Sequence, residues 1–137
     1  MTLLYEKESY DIRGVVFDIY KQLRSGHKEK VYQNALYLGL REKGLDVDKE
    51  QKIKIYYTGK DVGTYVPDFI INRTVLIELK AKPKLLQEDI KQFWQYLKGS
   101  GYKLGFLINF GARNGVEIVR RVYDTARTQH FLPRSSA

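Results

Sequence analysis

The sequence of 137 residues has no cysteine, two histidines and no long hydrophobic run. The absence of cysteine excludes disulfides, a thiolate zinc site and a cysteine nucleophile. His27 and His130 lie far apart in the chain, which argues against a zinc site built from several histidines. No apolar stretch approaches the ~20 residues of a membrane-spanning helix, and Met1 to Tyr10 carry charges where a signal peptide would be apolar. We therefore expect a cytoplasmic protein with no membrane partner.

Positive charge is the dominant feature of the composition. Lys and Arg total 24 against 16 Asp and Glu, which gives a net charge of +8 at pH 7. A surplus of this sign favours polyanionic partners, and nucleic acid is the first of these. The hydrophobic fraction of 43% and the chain length suit one soluble domain with its own core.

The hydrophobic pattern predicts one mixed α/β domain with the element order ααβββαββ. Apolar residues three and four positions apart predict helices over three segments: residues 11–24, 27–43 and 86–98. Alternation or short apolar runs predict strands over five segments: residues 52–57, 63–71, 74–80, 104–110 and 116–122. Ser9 or Asp11 is the expected N-cap of the first helix, and Pro67 interrupts the second strand. The domain is expected to span residues 1–124 and to be followed by a flexible tail over residues 125–137.

Two carboxylates and a lysine lie in strands that are otherwise apolar. Asp68 follows Pro67, while Glu78 and Lys80 are separated by one residue and so point to the same face, about 7 Å apart. Acidic residues are depleted in strands, and two carboxylates beside a lysine would suit Mg²⁺ with a phosphate substrate. A solvated edge strand with a Glu–Lys pair and an aspartate in a turn would explain the same residues without any function.

Whether the two carboxylates meet depends on the loop between their strands. A strict two-residue hairpin at Asn72–Arg73 would pair Asp68 with Ile77. Asp68 would then point away from Glu78. The carboxylates converge only if the loop has an odd number of residues, or if a bulge near Pro67 rotates the strand.

A third carboxylate, Glu29, lies in the first turn of the second predicted helix, where it also interacts favourably with the helix dipole. Together, these residues resemble the GxxExxY proteins, a branch of the PD-(D/E)XK nuclease superfamily. The resemblance covers about residues 11–121 and rests on four groups of residues: Gly26, Glu29 and Tyr32; Pro67–Asp68 with Glu78–Leu79–Lys80; Gln92 with Tyr96–Leu97; and Asn109–Phe110–Gly111. One departure is Arg24, which stands where relatives often carry the first glycine of a Gly-x-Gly.

The resemblance implies a single-domain, restriction-endonuclease-like fold with an αβββαβ core, here with an additional N-terminal helix. It implies Asp68, Glu78 and Glu29 as ligands of Mg²⁺, or of Mn²⁺ in its place. Lys80 would position or activate the attacking water, and Gln92 would orient a phosphate or the nucleophile. These five residues form the expected catalytic set.

Substrate contacts are expected from basic residues near these motifs. The candidates for binding nucleic acid are Lys21, Arg24, Lys28, Lys30, Lys82 and Lys84. Solvated helix faces would explain each of them equally well. Tyr56, Tyr57 and Tyr65 could stack on unpaired bases, although packing against the sheet accounts for them just as well.

These observations predict a Mg²⁺-dependent nuclease that hydrolyses phosphodiester bonds, in DNA rather than RNA, with a metal-activated water. One alternative is a non-catalytic nucleic-acid-binding protein that retains the fold. Another is a structure-specific endonuclease, such as one that resolves junctions. Because the chain has little beyond its core with which to grip a long substrate, we also expect a homodimer or another partner.

Overall fold

The computed structural model describes residues 4–124, so the tail predicted over residues 125–137 lies outside the described residues. The described chain forms three helices: α1 (Glu6–Leu23), α2 (Glu29–Glu42) and α3 (Gln87–Ser100). It forms seven strands: β1 (Val47–Lys49), β2 (Ile53–Tyr57), β3 (Lys60–Tyr65), β4 (Phe69–Ile71), β5 (Val75–Lys80), β6 (Leu104–Asn109) and β7 (Glu117–Val122). Within residues 4–124, no helix is both long enough and apolar enough to cross a membrane.

Five strands form the main sheet in the order β1-β4-β5-β6-β7, and β2 and β3 form a separate antiparallel pair. Only the β5–β6 pair of the main sheet is parallel. A parallel pair needs a crossover connection, and α3 supplies it here. The predicted mixed α/β class is therefore confirmed.

The main sheet is covered on both faces, and the alternation of side chains along β5 assigns each residue to one face. Ile77 and Leu79 belong to the cluster that includes the buried residues of α1 and α2. Leu76 belongs to the cluster formed with Phe93 of α3. Glu78 alternates with the first pair, so it lies on the α3 side of the sheet, near the end of the strand.

The predicted start of the first helix is wrong. Helix α1 begins at Glu6, and Tyr5 occupies the N-cap position without a side-chain capping bond. Ser9, predicted as a cap, is buried inside the helix, and its hydroxyl has no hydrogen-bond partner among the described residues. The helix extends because Leu4 and Tyr5 pack against the core, a tertiary contact that local capping signals do not contain.

Two strand predictions also need correction. The segment predicted as one strand over residues 63–71 is divided at Pro67 into β3 and β4, which belong to different sheets. Pro67 cannot donate to a ladder, so the chain leaves one sheet and enters the other at this residue. The three-residue edge strand β1 was not predicted, because it is too short to show an alternating pattern.

Candidate active site

The hairpin between β4 and β5 brings the two predicted carboxylates together. Phe69 pairs with Ile77 and Ile71 pairs with Val75, which leaves a three-residue loop of Asn72 to Thr74. An odd loop length is one of the two conditions under which the carboxylates were expected to converge, the other being a bulge near Pro67. Extending this register by one residue places Asp68 opposite Glu78, and the Asp68 backbone N–H donates to Glu78 Oε1 at 3.3 Å.

Asp68 is held by hydrogen bonds on both carboxylate oxygens. Its Oδ2 accepts from the Leu79 backbone N–H at 2.7 Å, and its Oδ1 accepts from Gln33 Nε2 at 3.0 Å. Burial raises the pKa of Asp68 even though these bonds and the charge of Lys80 act in the opposite direction. The carboxylate is therefore oriented by the fold and poorly hydrated, as a metal ligand or proton acceptor can be.

Glu78 is the more strongly perturbed of the two carboxylates. Burial, followed by the charge of Asp68, raises the pKa of Glu78 to about 7. Its Oε1 also accepts a hydrogen bond from the Tyr65 hydroxyl at 3.3 Å. The Tyr65 ring stacks on Tyr96 with 4.0 Å between the ring centroids. A carboxyl group whose pKa is raised this far is half protonated near neutral pH unless a cation offsets its charge.

Glu29 approaches the same site from the first turn of α2. Partial burial, followed by the charge of Asp68, raises the pKa of Glu29. Gln33 lies one helical turn further on and donates to Glu29 Oε2 at 3.3 Å as well as to Asp68. Gln33 was not predicted from the sequence. Its position four residues after Glu29 places both on one helix face, which could have indicated it.

Lys80 ends β5 and is half-buried beside the carboxylates. Its positive charge acts to lower the pKa values of Asp68, Glu78 and Glu29, so it lies within electrostatic range of all three. In the described part of the chain Lys80 forms no ion pair. Its ammonium group is therefore available to a phosphate or a water.

The turn between α1 and α2 explains the Gly-x-x-Glu-x-x-Tyr spacing. Tyr32 is fully buried and stacks on Phe110 with 4.7 Å between centroids. Its hydroxyl donates to the Arg24 carbonyl and accepts from the His27 backbone N–H. Gly26 adopts a φ of 111°, which favours glycine. The tyrosine and the glycine thus fix the turn that begins α2, where Glu29 lies.

Arg24, the departure from the expected glycine, has φ 57° and ψ −166°. This region of the backbone map is essentially restricted to glycine, so an arginine here is strained. The position still has the conformation that a glycine would favour. Having arginine instead of glycine at this position therefore raises the energy of the local backbone but does not change the path of the turn.

The Asn109–Phe110–Gly111 motif holds the loop that follows β5. The buried Asn109 side chain accepts from the Lys82 backbone N–H at 3.0 Å and donates to the Lys82 carbonyl at 2.9 Å. It also donates to Glu117 Oε1 at 2.7 Å. A Cβ on Gly111 would lie 2.3 Å from the Lys82 nitrogen, so only glycine fits there without a shift of the backbone.

Within residues 4–124, the remaining predicted residues form no hydrogen bond or ion pair with the three carboxylates. Gln92 is exposed on α3, and its amide lies 3.5 Å from the Tyr96 hydroxyl. Lys82 forms an ion pair with Asp89 at 2.8 Å, which ties the loop to the start of α3. The other predicted basic residues are exposed: Lys21, Arg24, Lys28, Lys30 and Lys84. Lys30 is close enough to lower the pKa of Asp68.

The donor set suits a hard cation with an incomplete protein shell. Within residues 4–124, no group of three His, Cys, Asp or Glu side chains is gathered closely enough to hold a metal ion alone. Asp68 and Glu78 supply two carboxylates, and Mg²⁺ is usually bound by one or two carboxylates with waters and substrate phosphates. The two half-buried like charges also favour a cation between them. These two residues therefore fit a divalent cation such as Mg²⁺, and Glu29 lies close enough for the charge of Asp68 to raise its pKa.

Cavity size does not locate this site. A groove of about 600 Å³ lies between α1 and α2 and is lined by Gly14, Gly39 and their neighbours. A much smaller cavity of about 70 Å³ adjoins Asp68 and Gln33. The end of a sheet, where its strands begin and end, is a suitable place to receive a long polymer, since such a substrate cannot enter a closed pocket.

Comparison with solved structures supports the same fold. The chain is similar to the crystal structure of an alkaline exonuclease, LHK-Exo, from Laribacter hongkongensis, with a TM-score of 0.51 and 17% identity over 95% of this chain and 76% of that one. LHK-Exo in complex with dAMP gives a TM-score of 0.50. The structure of SSO0001 gives a TM-score of 0.51 and 18% identity over 90% of this chain and 60% of that one. At these identities the likeness concerns the fold alone.

Comparison of sequences identifies the family. No curated protein matches the chain. A sequence model of the PD-(D/E)XK nuclease superfamily matches residues 6–122. That span contains both carboxylates, Lys80 and the complete main sheet, so the chain belongs to the PD-(D/E)XK nuclease superfamily and is a nuclease.

Proposed function

We propose that this nuclease hydrolyses phosphodiester bonds in DNA and that it requires Mg²⁺ or Mn²⁺. The observation that carries this proposal is the opposition of Asp68 and Glu78 across the β4–β5 hairpin, with Lys80 beside them. Two oriented oxygen ligands and one unpaired ammonium group are what metal-assisted phosphodiester hydrolysis needs from a protein. The proposal extends to the GxxExxY branch, because Gly26 and Tyr32 shape the turn that presents Glu29.

Each residue has a distinct part in this mechanism. Asp68 and Glu78 would hold the metal, with their orientation fixed by the Leu79 N–H and the Tyr65 hydroxyl. When bound, the metal supplies a Lewis acid that polarises the phosphate and lowers the pKa of a water. Lys80 places a compact positive charge where the phosphate oxygens gain negative charge in the transition state.

Two further residues would act at the edge of the site. Glu29, with its raised pKa and its exposed position, can hold a water or accept its proton. Gln92 contacts none of the carboxylates, so any role in orienting a phosphate would begin only when substrate lies across α3.

The preference for DNA rests on two supports. LHK-Exo, which shares the fold, is known in complex with dAMP, a deoxyribonucleotide. The positive charge around Glu29 comes from exposed Lys28 and Lys30, which can neutralise backbone phosphates of either nucleic acid. The fold relation therefore favours DNA, while the charge alone favours neither.

A non-catalytic nucleic-acid-binding protein is the second candidate. It would gain nothing from Asp68 and Glu78, because half-buried carboxylates repel a polyanion when no metal is present. We also propose a homodimer, since the described domain offers a single short sheet edge as its active site. Light scattering that shows a monomer at micromolar concentration would refute the dimer.

The test is cleavage of a panel of substrates with Mg²⁺, with Mn²⁺ and with EDTA. The panel contains supercoiled plasmid, linear duplex, single-stranded DNA, a four-way junction and RNA. We expect metal-dependent cleavage of DNA, and we expect Glu78→Gln and Lys80→Met each to lose at least about 100-fold in rate. Lys43→Met removes an equivalent charge at the far end of α2 and should cut normally.

Each alternative has its own result in this experiment. Cleavage that persists in EDTA would refute the requirement for metal. Cleavage of RNA alone would refute the preference for DNA. If nothing is cut while salt-sensitive binding persists, the non-catalytic candidate is the better account.

A further inference from the structure

The separate β2–β3 hairpin has one anchored end and one free end. At the anchored end, Ile53, Ile55 and Tyr65 pack in the cluster that contains Phe93 of α3. At the other end, Thr58 and Gly59 form the turn, and both have positive φ. A two-stranded sheet is marginally stable on its own, so its contact with α3 holds it in place. The free end extends into solvent beyond that contact.

The free end carries apolar side chains that are left in water. Tyr56 is 63% exposed, Tyr57 is 71% exposed and Val62 is 60% exposed. Consecutive strand residues point to opposite faces, so one tyrosine lies on each face of the ribbon. Neither ring stacks on another ring within the described residues. Exposed aromatic rings in such a position indicate a contact surface.

The hairpin is joined directly to the active site. Strand β3 continues through Val66 and Pro67 into Asp68, and the Tyr65 hydroxyl donates to Glu78. Four residue steps separate Ile53, which pairs with Tyr65, from the end of β2, a distance of about 13 Å. At ~3.4 Å per stacked nucleotide, that length of β2 corresponds to about four nucleotides, and Tyr65, whose hydroxyl donates to Glu78, lies at its anchored end.

The charges on the hairpin suit a phosphate backbone. Lys54 is paired with Asp61 at 3.2 Å. Lys52 and Lys60 are exposed, and neither forms an ion pair in the described part of the chain. A strand of nucleic acid that crosses the hairpin would therefore meet positive charge for its phosphates and aromatic rings for its bases.

The arrangement favours unpaired nucleic acid over a protein or an intact duplex. A stable protein interface needs one continuous surface of roughly 800 Å² on each partner, whereas two rings on opposite faces of a narrow ribbon do not form one. The faces of bases inside a duplex are covered by their neighbours. A tyrosine can stack on a base only where the strand is single or its end is frayed.

We propose that the β2–β3 hairpin binds a single-stranded part of the substrate, with Tyr56 and Tyr57 stacking on unpaired bases a few nucleotides from the cleaved bond. The inference rests on the proposed nuclease function and adds the substrate class, which is DNA with an unpaired segment. It also predicts that base stacking, rather than backbone charge alone, contributes to affinity.

The test compares binding to three labelled probes in EDTA by fluorescence anisotropy. The probes are a single-stranded DNA oligonucleotide, the same oligonucleotide with abasic sites, and a blunt duplex. We expect a variant with both Tyr56→Ala and Tyr57→Ala to bind the single strand at least about fivefold more weakly. Its binding to the abasic strand and to the duplex should stay within about twofold of wild type.

Two further variants complete the comparison. Replacement of both residues by phenylalanine keeps the rings, so it should restore binding to the single strand. Tyr10→Ala removes a tyrosine that is 68% exposed on α1, and it should bind every probe as wild type does. Circular dichroism and thermal unfolding should show that all variants are folded.

The outcomes separate this proposal from the proposed function. Unchanged binding to the single strand, an equal loss on all three probes, or no rescue by phenylalanine would overturn the hairpin proposal. Cleavage assays run in parallel with Mg²⁺ test the nuclease itself. Tyrosine-dependent binding without any cleavage would support the hairpin while the proposed function fails. Normal cleavage together with binding that does not depend on the tyrosines would support the proposed function and overturn the hairpin proposal.

Discussion

Asp68 and Glu78 lie opposite each other on neighbouring strands, and both are largely withdrawn from water. The hydrogen bonds that they accept come from the backbone, from Gln33 and from Tyr65. Those donors orient the carboxylates but do not remove the cost of placing two negative charges side by side. A cation between them would remove that cost. The same residues that suit metal binding should therefore reduce the stability of the metal-free protein.

The first prediction concerns the pH dependence of stability without metal. Because the pKa of Glu78 rises from 4.5 to about 7 on folding, the folded state keeps a proton that the unfolded chain has released in this range. Stability should therefore fall as pH rises through this window, by on the order of 3 kcal/mol in total. The glutamine in Glu78→Gln cannot ionise. The free energy of unfolding of this variant minus that of wild type should therefore be larger at about pH 8 than at about pH 5.

Urea unfolding in EDTA at the two pH values measures this difference. Glu42→Gln, at an exposed position at the end of α2, is the matched control. Adding Mg²⁺ near pH 8 should stabilise wild type but not Glu78→Gln. A stability difference between Glu78→Gln and wild type that is the same at both pH values would contradict the prediction.

The second prediction concerns Gln33, which donates to both Glu29 and Asp68. Gln33→Leu keeps most of the side-chain volume but removes the shared donor. Residues that orient metal ligands typically contribute 10- to 100-fold to metal affinity, so the Mg²⁺ concentration for half-maximal cleavage should rise by roughly tenfold or more. Asn34→Leu, at the adjacent exposed position, is the control. A normal Mg²⁺ dependence with a weaker affinity for DNA would instead place Gln33 in substrate binding.

Two short connections next to the proposed catalytic residues are each closed by one polar side chain. The turn before α2 is closed by the Tyr32 hydroxyl, and the loop after β5 is closed by the Asn109 amide. Each polar group is buried and has its bonds satisfied, so each defines one conformation of its connection. Residues that are far apart in the chain are thereby held at the same end of the main sheet.

The third prediction concerns the strained turn at Arg24. Because its φ and ψ lie in a region that favours glycine, Arg24→Gly should raise the free energy of unfolding by about 1 kcal/mol or more. Lys21→Gly, inside α1, should lower it by about 1 kcal/mol. Thermal and urea unfolding of the two variants tests the difference. Equal destabilisation by both substitutions would show that Arg24 is not strained.

The fourth prediction concerns the loop after β5. In Gly111→Ala the new methyl group would lie 2.3 Å from the Lys82 nitrogen, and a contact with backbone cannot be relieved by a side-chain rotation. We expect a loss of stability of about 1–3 kcal/mol, together with reduced cleavage, because the shifted loop follows directly on Lys80. Gly99→Ala in α3 has no atom within 4 Å of the new Cβ and should be neutral or stabilising. Wild-type stability of Gly111→Ala would contradict the packing argument.

At the scale of the whole molecule, the topology places the site where two inner strands of the main sheet begin and end. The carboxylates are at the start of β4 and near the end of β5, with α2 on one side and the β2–β3 hairpin on the other. The net charge of +8 then acts as a broad attraction for a polyanion, on which the local contacts impose an orientation.

The fifth prediction concerns the salt dependence of DNA binding. If Lys28 and Lys30 each neutralise one phosphate, their replacement by alanine should make the slope of log K against log salt shallower by about 1.4 to 1.8. Lys43→Ala, at the far end of α2, should leave the slope unchanged. Titrations in EDTA at several salt concentrations measure the slope. Weaker binding with an unchanged slope would mean that these lysines do not contact phosphates.

The sequence alone predicted the order of the three helices and the residues at the centre of the candidate site, but it placed three strands between the second and third helices where the structure has five. Apolar spacing indicated all three helices, and the acidic residues in apolar strands indicated Asp68 and Glu78. Family motifs added Glu29 and the turn around it. These features depend on local patterns, because side-chain periodicity is a property of each element by itself.

Only the tertiary structure decided which of these residues meet. The three-residue loop after β4 aligned Asp68 with Glu78, whereas a loop shorter by one residue would have turned Asp68 to the other face. The fold also brought Gln33 to both Asp68 and Glu29, placed the Gln92 amide beside the Tyr96 hydroxyl, and exposed Tyr56 and Tyr57 while burying Tyr65. The physical reason is that strand register and contacts between distant segments depend on how the elements pack, and no local pattern contains that information.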